Sequence, residues 1–399
     1  MKKKILSLVL AFALILALVP SVTPSAQAAN HNLDSADMLQ HIINTAQSGD
    51  TITLTADINY NSLLAIKNTD ININLNGYTL NIKSDMGALS VDNCKVEIYG
   101  GTLNIESTTN TALWVSGGAK ITLTGNLKGE THGIFIPDRN GGGTVIVNGD
   151  VSSNNSAVTA TDGGKVTVNG NLTGGYRGIW SDGRGTDVTV HGNVRVTGSN
   201  LDDSTFGVSA RGGGTVTVNG DVTVSGSRLR NYGVFAAPFF GESGEKVTIN
   251  GNLTVTGAKQ TNWGVNADNS TVTISGDVTT GGAEVNFAVS AYLDAKVIIG
   301  GNVTGRVSRN QNSNISIDGN VIGEVNDGVT VKGTINGESQ STPDTEPPAE
   351  APNLDTASGW AKEPLTAAIA KGFVPADLQD KYQDTITRAE FCRLAVSWV

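Results

Sequence analysis

The chain is 399 residues long, with a formal net charge of −10 at pH 7, 49 glycines and only 5% aromatic residues. An acidic balance disfavours nucleic acid and anionic lipid as partners. So much glycine with so few aromatics is unusual for a globular enzyme, and the periodicity described below, rather than disorder, accounts for it.

Lys2, Lys3 and Lys4 precede an apolar run from Ile5 to Val19 and then Ala26-Gln27-Ala28. This is the layout of a secretory leader with its cleavage site, so residues 1–28 are read as a signal peptide and the mature chain as exported. Losing three of the 27 basic residues and no acids leaves 24 against 37 acidic, a charge of −13. No second long apolar stretch follows, and no membrane span is expected after cleavage. Cys94 and Cys392 lie in different regions and read as buried free thiols, with a disulfide as the alternative open to an exported protein.

From residue 29 the first element is a short helix, with Ser35 as its cap, an apolar stripe of Met38, Leu39, Ile42, Ile43 and Ala46, and Gly49 at its end. A strand signal, "DTITLTADI", follows at once. An amphipathic helix ahead of the first coil suits the exposed end of a solenoid.

The body of the chain repeats a unit such as "VTVNGDV" (Val216 to Val222). Asn-Gly between valine runs is a hairpin signal, but a two-residue loop would set Val218 against Asp221 and Val216 against Thr223. Read straight through, Val216, Val218, Gly220, Val222 and Val224 keep one phase, so the chain bends without reversing. Ten copies are centred on Gly125, Gly149, Gly170, Gly192, Gly220, Gly251, Gly276, Gly301, Gly319 and Gly333, spaced 14 to 31 residues apart. A fixed element with elastic spacers predicts a solenoid with outward loops. In "INLNGYTLNI" and "VEIYGGTLNIE" the apolar phase slips by one, read as bulges or different corners. Counting these gives about twelve coils.

A further strand precedes each unit: "HGIFI", "RGIWS", "FGVSA", "YGVFA", "WGVNA", "FAVSA". Simple alternation from Val208 and Ala210 turns Phe206 inward with Tyr232, Trp263 and Phe287, an internal aromatic stack. The alternative, a sugar-stacking row, needs these rings outside. Asn148, Asn169, Asn219 and Asn250 share one corner position and predict an amide ladder, while Thr167, Thr189, Thr217 and Thr248 predict an outer row.

On these repeats, residues 33–337 resemble the right-handed parallel β-helix of the pectin-lyase-like superfamily. The resemblance implies an all-β solenoid, in a group whose members include polysaccharide-cleaving enzymes as well as surface adhesins and wall-associated proteins. Residues 338–357, "ESQSTPDTEPPAEAPNLDTA", read as an extended linker after a β-helix spanning 29–337.

In 358–399, Ser358 is a helix cap, Trp360, Leu365, Ala368 and Ile369 form an apolar face, and Gly372 is the stop. A second helix begins at Thr385 or Thr387, where Thr387 and Glu390 make a capping-box pattern. The string Ile386-Thr387-Arg388-Ala389-Glu390-Phe391 resembles one S-layer homology repeat. That resemblance implies attachment to cell-wall polysaccharide of a Gram-positive-type envelope, through Trp360, Arg388 and Glu390; the alternative for Arg388 and Glu390 is an ordinary helix start.

Asp138, Asp162, Asp182 and Asp268 fall just after the further strand of their coils, with Arg211 at the matching place in another. Stacking would bring such carboxylates together for acid/base work on a glycosidic bond, or to hold Ca²⁺ while Arg139, Arg184 or Arg211 meets substrate. Against this, "PDRNGGG", "TDGGK", "SDGRG" and "ADNS" are turn sequences in which Asp bonds its own backbone. The longest spacer, with "APFFGESGEK" and its Phe239 and Phe240, is where an enzyme would break the repeat. His31, His41, His132 and His191 lack metal-like spacing. The expectation is an exported, non-catalytic rod presenting a polar face to polysaccharide, with no cofactor or metal. A polysaccharide lyase or glycoside hydrolase on the flank is the alternative, and only there does Ca²⁺ enter.

Overall fold

The computed structural model describes residues 28–137, 142–198, 204–239, 242–310, 312–339 and 354–374, together with Leu378, Tyr382 and Thr385. The chain divides into two compact units, Met1–Glu338 and Ser339–Val399. The first is a parallel β-solenoid, with a 26-stranded sheet and an 11-stranded sheet. The eleven rungs of the smaller sheet set the count at about eleven turns, against the twelve expected from the repeats.

One turn shows how the sequence makes the fold. Thr215–Val218 lies in a first row, Asn219-Gly220-Asp221 makes a corner, Val222–Ser225 lies in a second row, and Arg230–Ala237 belongs to the eleven-stranded sheet, the third row. Val216, Val218, Val222 and Val224 are all fully buried. Val218 sits in parallel register between Val190 and Ile249 rather than opposite Asp221, so the unit is a corner and not a hairpin. Val and Leu fill the narrow interior from one turn to the next, as β-branched side chains do on a pleated surface.

The corner glycine is needed for stacking between turns. A Cβ on Gly220 would meet the carbonyl oxygen of Gly192 at 2.6 Å, one on Gly251 that of Gly220 at 2.6 Å, and one on Gly276 that of Gly251 at 2.7 Å. The same close approach recurs along the ten glycines named above. Every backbone N–H of the corner finds an acceptor on an adjacent turn. Asn219 donates to Val190 O at 2.8 Å, Gly220 to Gly192 O at 3.2 Å, and Val222 to Asn252 O at 2.8 Å. Asp221 donates to a side chain, Asn193 Oδ1, at 2.8 Å.

The predicted phase slip near residue 100 is a bulge. The strand Lys95–Ser107 runs through its corner, and its register against Lys120–Gly129 shifts between Leu123 and Gly125. The Thr167, Thr189, Thr217 and Thr248 row stands in register on the outside of the first row. The amide ladder is present as Asn169 to Asn148 (2.5 Å) and Asn250 to Asn219 (2.7 Å), with His191 taking the rung below Asn219 at 2.8 Å.

The first helix is Ala36–Thr45, and Ser35 makes no side-chain bond to it. Leu39 and Ile43 are buried in the core. Gln40 does more specific work: its amide donates to Ala65 O at 2.8 Å and accepts from Ala65 N at 2.9 Å. Ala65 lies in Leu64–Lys67, the end strand of the third row, so one side chain supplies a donor and an acceptor that an edge strand otherwise leaves open. Cys94 is a buried free thiol, held against Ile66 O at 3.6 Å, and burial pushes its pKa up. Cys392 lies outside the described residues.

In the second unit a 3-10 turn, Gly359–Ala361, leads into the helix Lys362–Ala370. Ser358 makes no side-chain cap, and Trp360 is 84% exposed rather than packed on a helix face. Gly372, at φ 74°, stops the helix as expected, with its N–H on Ile369 O at 2.9 Å. Arg388, Glu390 and the second predicted helix lie outside the described residues.

The stacking role of the corner glycine separates two substitutions. Gly220→Ala forces backbone apart between turns and is expected to cost about 1–3 kcal/mol. Gly281→Ala, where a Cβ meets nothing within 4 Å, is expected to stay within about 0.5 kcal/mol of the parent. Denaturant unfolding of the two variants checks this.

Candidate functional site

The outer side of the third row carries the groups that the fold itself does not use. In Arg230–Ala237, Asn231, Val234 and Ala236 are fully buried while Tyr232 and Phe235 are half-buried. Gly233 and Val234 both turn inward, so the alternation slips by one residue at the glycine. A Cβ on Gly233 would meet Leu253 Cδ1 and Val255 Cγ2 at 2.7 Å, inside the solenoid. The slip recurs as Gly207-Val208, Gly264-Val265 and Ala288-Val289.

This corrects the inward placement of the aromatic stack. Phe206, Tyr232, Trp263 and Phe287 form one column on the outside. Their ring centroids are 4.9, 4.7 and 6.1 Å apart and successive planes lie within 7° of parallel. Cations bracket the column in register: Arg177 lies 5.9 Å from the Phe206 centroid and Arg306 5.5 Å from that of Phe287. What faces inward instead is asparagine. Asn231 donates to Asn262 (3.2 Å), and Asn262 to Asn286 (3.0 Å), each binding backbone carbonyls as well. The signal for this buried ladder is in the sequence, where Asn precedes the aromatic in "RNYGV", "TNWGV" and "VNFAV".

Towards the N-terminal side of the column the face becomes a cleft of about 540 Å³, lined by Phe135, Asp162, Asp182, Phe239 and Glu242 among others. Trp180, whose side chain hydrogen-bonds the lining residue Asp182, stands beside it. Arg177 stacks on Trp180 at 4.1 Å and on Tyr176 at 4.4 Å, and Arg211 lies 5.0 Å from Trp180 and 3.9 Å from Phe239. Such contacts hold a guanidinium flat against a ring. The long spacer contributes through Phe239 and Glu242, which exchange backbone bonds at 3.1 and 3.0 Å in a tight turn. Phe240 lies outside the described residues.

The predicted acids divide here. Asp162 and Asp182 line the one cleft, and Asp182 stands in register with Arg211. Asp162 fits turn chemistry: it has φ 44°, in a turn closed by Gly164 N–H on Thr161 O at 3.0 Å. Asp182 accepts from the backbone N–H of Gly183, as turn chemistry has it, and from Trp180, yet burial, reinforced by the charge of Asp162, holds its carboxyl above the usual range despite Arg211. Asp268 is raised by burial too, and its Oδ1 has no partner among the described residues. Arg184 is exposed and does not line the cleft; Asp138 and Arg139 lie outside the described residues. His132 packs on Phe135 at 4.6 Å, and burial with Arg177 nearby lowers its pKa to about 4, so it is neutral at pH 7.

Several polar atoms on this face are buried yet unpaired among the described residues: Thr159 Oγ1, Ser209 Oγ, Ser290 Oγ and the Nε atoms of Arg177 and Arg211. Buried polar groups are rarely left so. Arg177 sits deep enough for burial to lower its pKa. No group of three or more His, Cys, Asp or Glu side chains disposed to hold a metal occurs among the described residues, and no described helix is long and apolar enough to cross a membrane.

The raised pKa of Asp182 has a defined consequence. A carboxyl whose folded pKa lies above its unfolded value disfavours folding once ionised, and that penalty is absent below the unfolded pKa near 3.9. Asp182→Asn is therefore expected to raise the melting temperature at pH 7 by a few degrees at most, with the gain gone by about pH 3. Thermal melts across pH check it.

No protein-family model, curated protein or solved structure matches the chain.

Proposed function

We propose that the protein is an exported, non-catalytic β-helix of the right-handed pectin-lyase-like kind that binds polysaccharide on the outer face of its third row. The observation that carries this reading is the outward, stacked column Phe206, Tyr232, Trp263 and Phe287. Pyranose rings offer a flat C–H face and a rim of hydroxyls. The stacked rings, one rung apart at about 4.8 Å, align their outward edges as an apolar strip that meets the first, and the hydroxyl, amide and guanidinium groups beside it meet the second. The face is thus aromatic as well as polar.

The leader reading supports export, and the helix with Gln40 at the end strand supports an N-terminal cap. The SLH-like tail supports retention at a Gram-positive-type cell wall. Trp360, being exposed, is open to wall polymer, and Arg388 and Glu390 are its proposed companions. Co-sedimentation with isolated walls tests this: the mature chain should pellet with them, and a chain ending at Asp355 should not.

Tyr232→Ala/Trp263→Ala is expected to weaken polysaccharide binding about tenfold, at about 0.5–1.5 kcal/mol per aromatic contact. Because the rings lie outside the core, the far-UV spectrum should not change. Affinity electrophoresis against acidic and neutral polysaccharides measures it, and unaltered mobility would refute the reading.

A second reading is favoured by one observation, the shared cleft of Asp162 and the raised Asp182 beside Arg211. It is a polysaccharide lyase or glycoside hydrolase, and Ca²⁺ belongs to the lyase form of it alone. New reducing ends or unsaturated products from the parent, abolished in Asp162→Asn/Asp182→Asn, would establish it over the first.

A further inference from the structure

We propose that the α-ammonium group created at Ala29 by leader cleavage is a structural part of the mature fold, paired with the buried carboxylate of Asp50. This rests on the reading of residues 1–28 as a removable leader and is independent of what the outer face binds.

Asp50 is 3% exposed at the start of the first full turn. Its Oδ1 lies 2.7 Å from Ala29 N, and its Oδ2 accepts from Gln47 N–H at 2.9 Å and lies 2.9 Å from His31 Nε2. Ala29 is held from its other side as well, its carbonyl accepting from Thr51 N–H at 2.9 Å. It leads directly into Asn30–Leu33, which pairs with Thr51–Leu54 as the outermost strand of the large sheet. The bond to His31, then those from Gln47 and Ala29, hold the Asp50 pKa at about 2. The carboxylate is thus ionised at any physiological pH.

In the uncleaved chain the three groups around this carboxylate are two amide N–H donors and an imidazole, none a permanent cation. Hydrolysis of the Ala28–Ala29 bond by a signal peptidase adds water: Ala28 keeps the new carboxylate and leaves with the leader, and the Ala29 nitrogen takes up a proton. The nitrogen already placed at 2.7 Å becomes an ammonium. Ala28 and Ala29 are both exposed, so the bond is accessible and the added hydrogens have room. A charged hydrogen bond replaces a neutral one, and the terminal strand at the open end of the solenoid is pinned by the act that releases the leader.

The pH dependence follows in sign. An α-amino group ordinarily titrates near pH 7.7–8.0, about the unfolded value, and a carboxylate at contact raises the folded value. The stabilisation is full below the unfolded pKa and is lost as pH rises through the folded one. Among the described residues His31 is the one ionisable side chain bonded to Asp50. Asp70, one rung on, is engaged by Lys95 N–H at 2.7 Å. Both are common to the chains compared below and cancel.

The experiment begins with the N-terminal sequence of the exported protein, expected to start at Ala29. Thermal melts then compare that chain with one retaining Ala28, from pH 6 to 10. The chain starting at Ala29 should melt higher by roughly 2–4 °C near pH 6.5, with the difference fading between about pH 8 and 10. Asp50→Asn should remove it. Should that variant fail to fold, the pKa of the Ala29 amine, read from its ¹⁵N shift in the folded parent, decides instead, and must lie above 8. A start other than Ala29 overturns the proposal together with the leader boundary. A start at Ala29 with equal melts, or an amine of ordinary pKa, overturns the ammonium pairing and leaves the boundary standing.

Discussion

The residue after each corner glycine has a backbone N–H that no strand accepts, and a side-chain oxygen of its counterpart one turn earlier takes it. Asp150 N–H goes to Asn126, Asn171 to Asp150, Asn193 to Asn171, Asp221 to Asn193, Asn252 to Asp221, Asp277 to Asn252, Asn302 to Asp277, Asn320 to Asn302 and Thr334 to Asn320, all within 2.6–2.9 Å. Ten successive turns are thereby locked in one register by nine such bonds. Short acceptors are required, since a longer side chain would carry its oxygen past the N–H. Carboxylate and amide oxygens both serve as acceptors, but charge limits where the carboxylates stand: Asp150, Asp221 and Asp277 are each flanked by asparagine on both sides. Two ionised carboxylates a rung apart would repel, and the amides also donate to them, as Asn252 does to Asp221 at 3.2 Å.

This constraint explains what the sequence made legible. The unbroken phase of Val216, Val218, Gly220, Val222 and Val224 could be read because packing and corner chemistry act on adjacent residues. Asn148 and Asn169 could be aligned because the corner is always the same length. The aromatic column was misplaced for the complementary reason. Whether Tyr232 faces in or out depends on the slip at Gly233-Val234, and that slip arises from contact with Leu253 and Val255, side chains about twenty residues further on. Alternation rules hold within a strand and have no means of registering such contacts. The buried Asn231 and Asn262 and the half-buried Asn286 were within reach, their position before each aromatic being repeated, but asparagine is seldom assigned to an interior. The cleft is legible in part: the long spacer marks its position, while the stacking of Arg177 and Arg211 on Trp180 is tertiary.

The outer face of the third row departs from the economy seen elsewhere in the molecule. Corner polar groups are satisfied turn after turn, and the interior asparagines bind both each other and the backbone. On the outer face Ser209 and Ser290 are buried with hydroxyls unpaired among the described residues, and Arg177 and Arg211 are held by aromatic faces with their Nε atoms likewise unbonded. An arginine at a fully exposed position would keep its water, and one in a structural role would be paired with a carboxylate. Groups buried, oriented and left with bonding capacity on a single face are those expected to contact a ligand.

The spacing of the repeat shows where such a face can be elaborated. Between the last inward residue of the first row and the first of the second there are always three residues, from Leu123 and Leu127 to Val331 and Ile335. Between the third row and the next first row the interval is elastic, short between Ala267 and Val272 and long between Ala236 and Val247. The lengths of loops on this side add little to the entropy of closing them, whereas an extra residue at the glycine corner would break the side-chain ladder in both directions. Insertions are therefore confined to the edge of the third row, beside the aromatic column. The excursion carrying Phe239 and Glu242 uses that freedom, adding a wall to the cleft while the register beneath it stays unchanged.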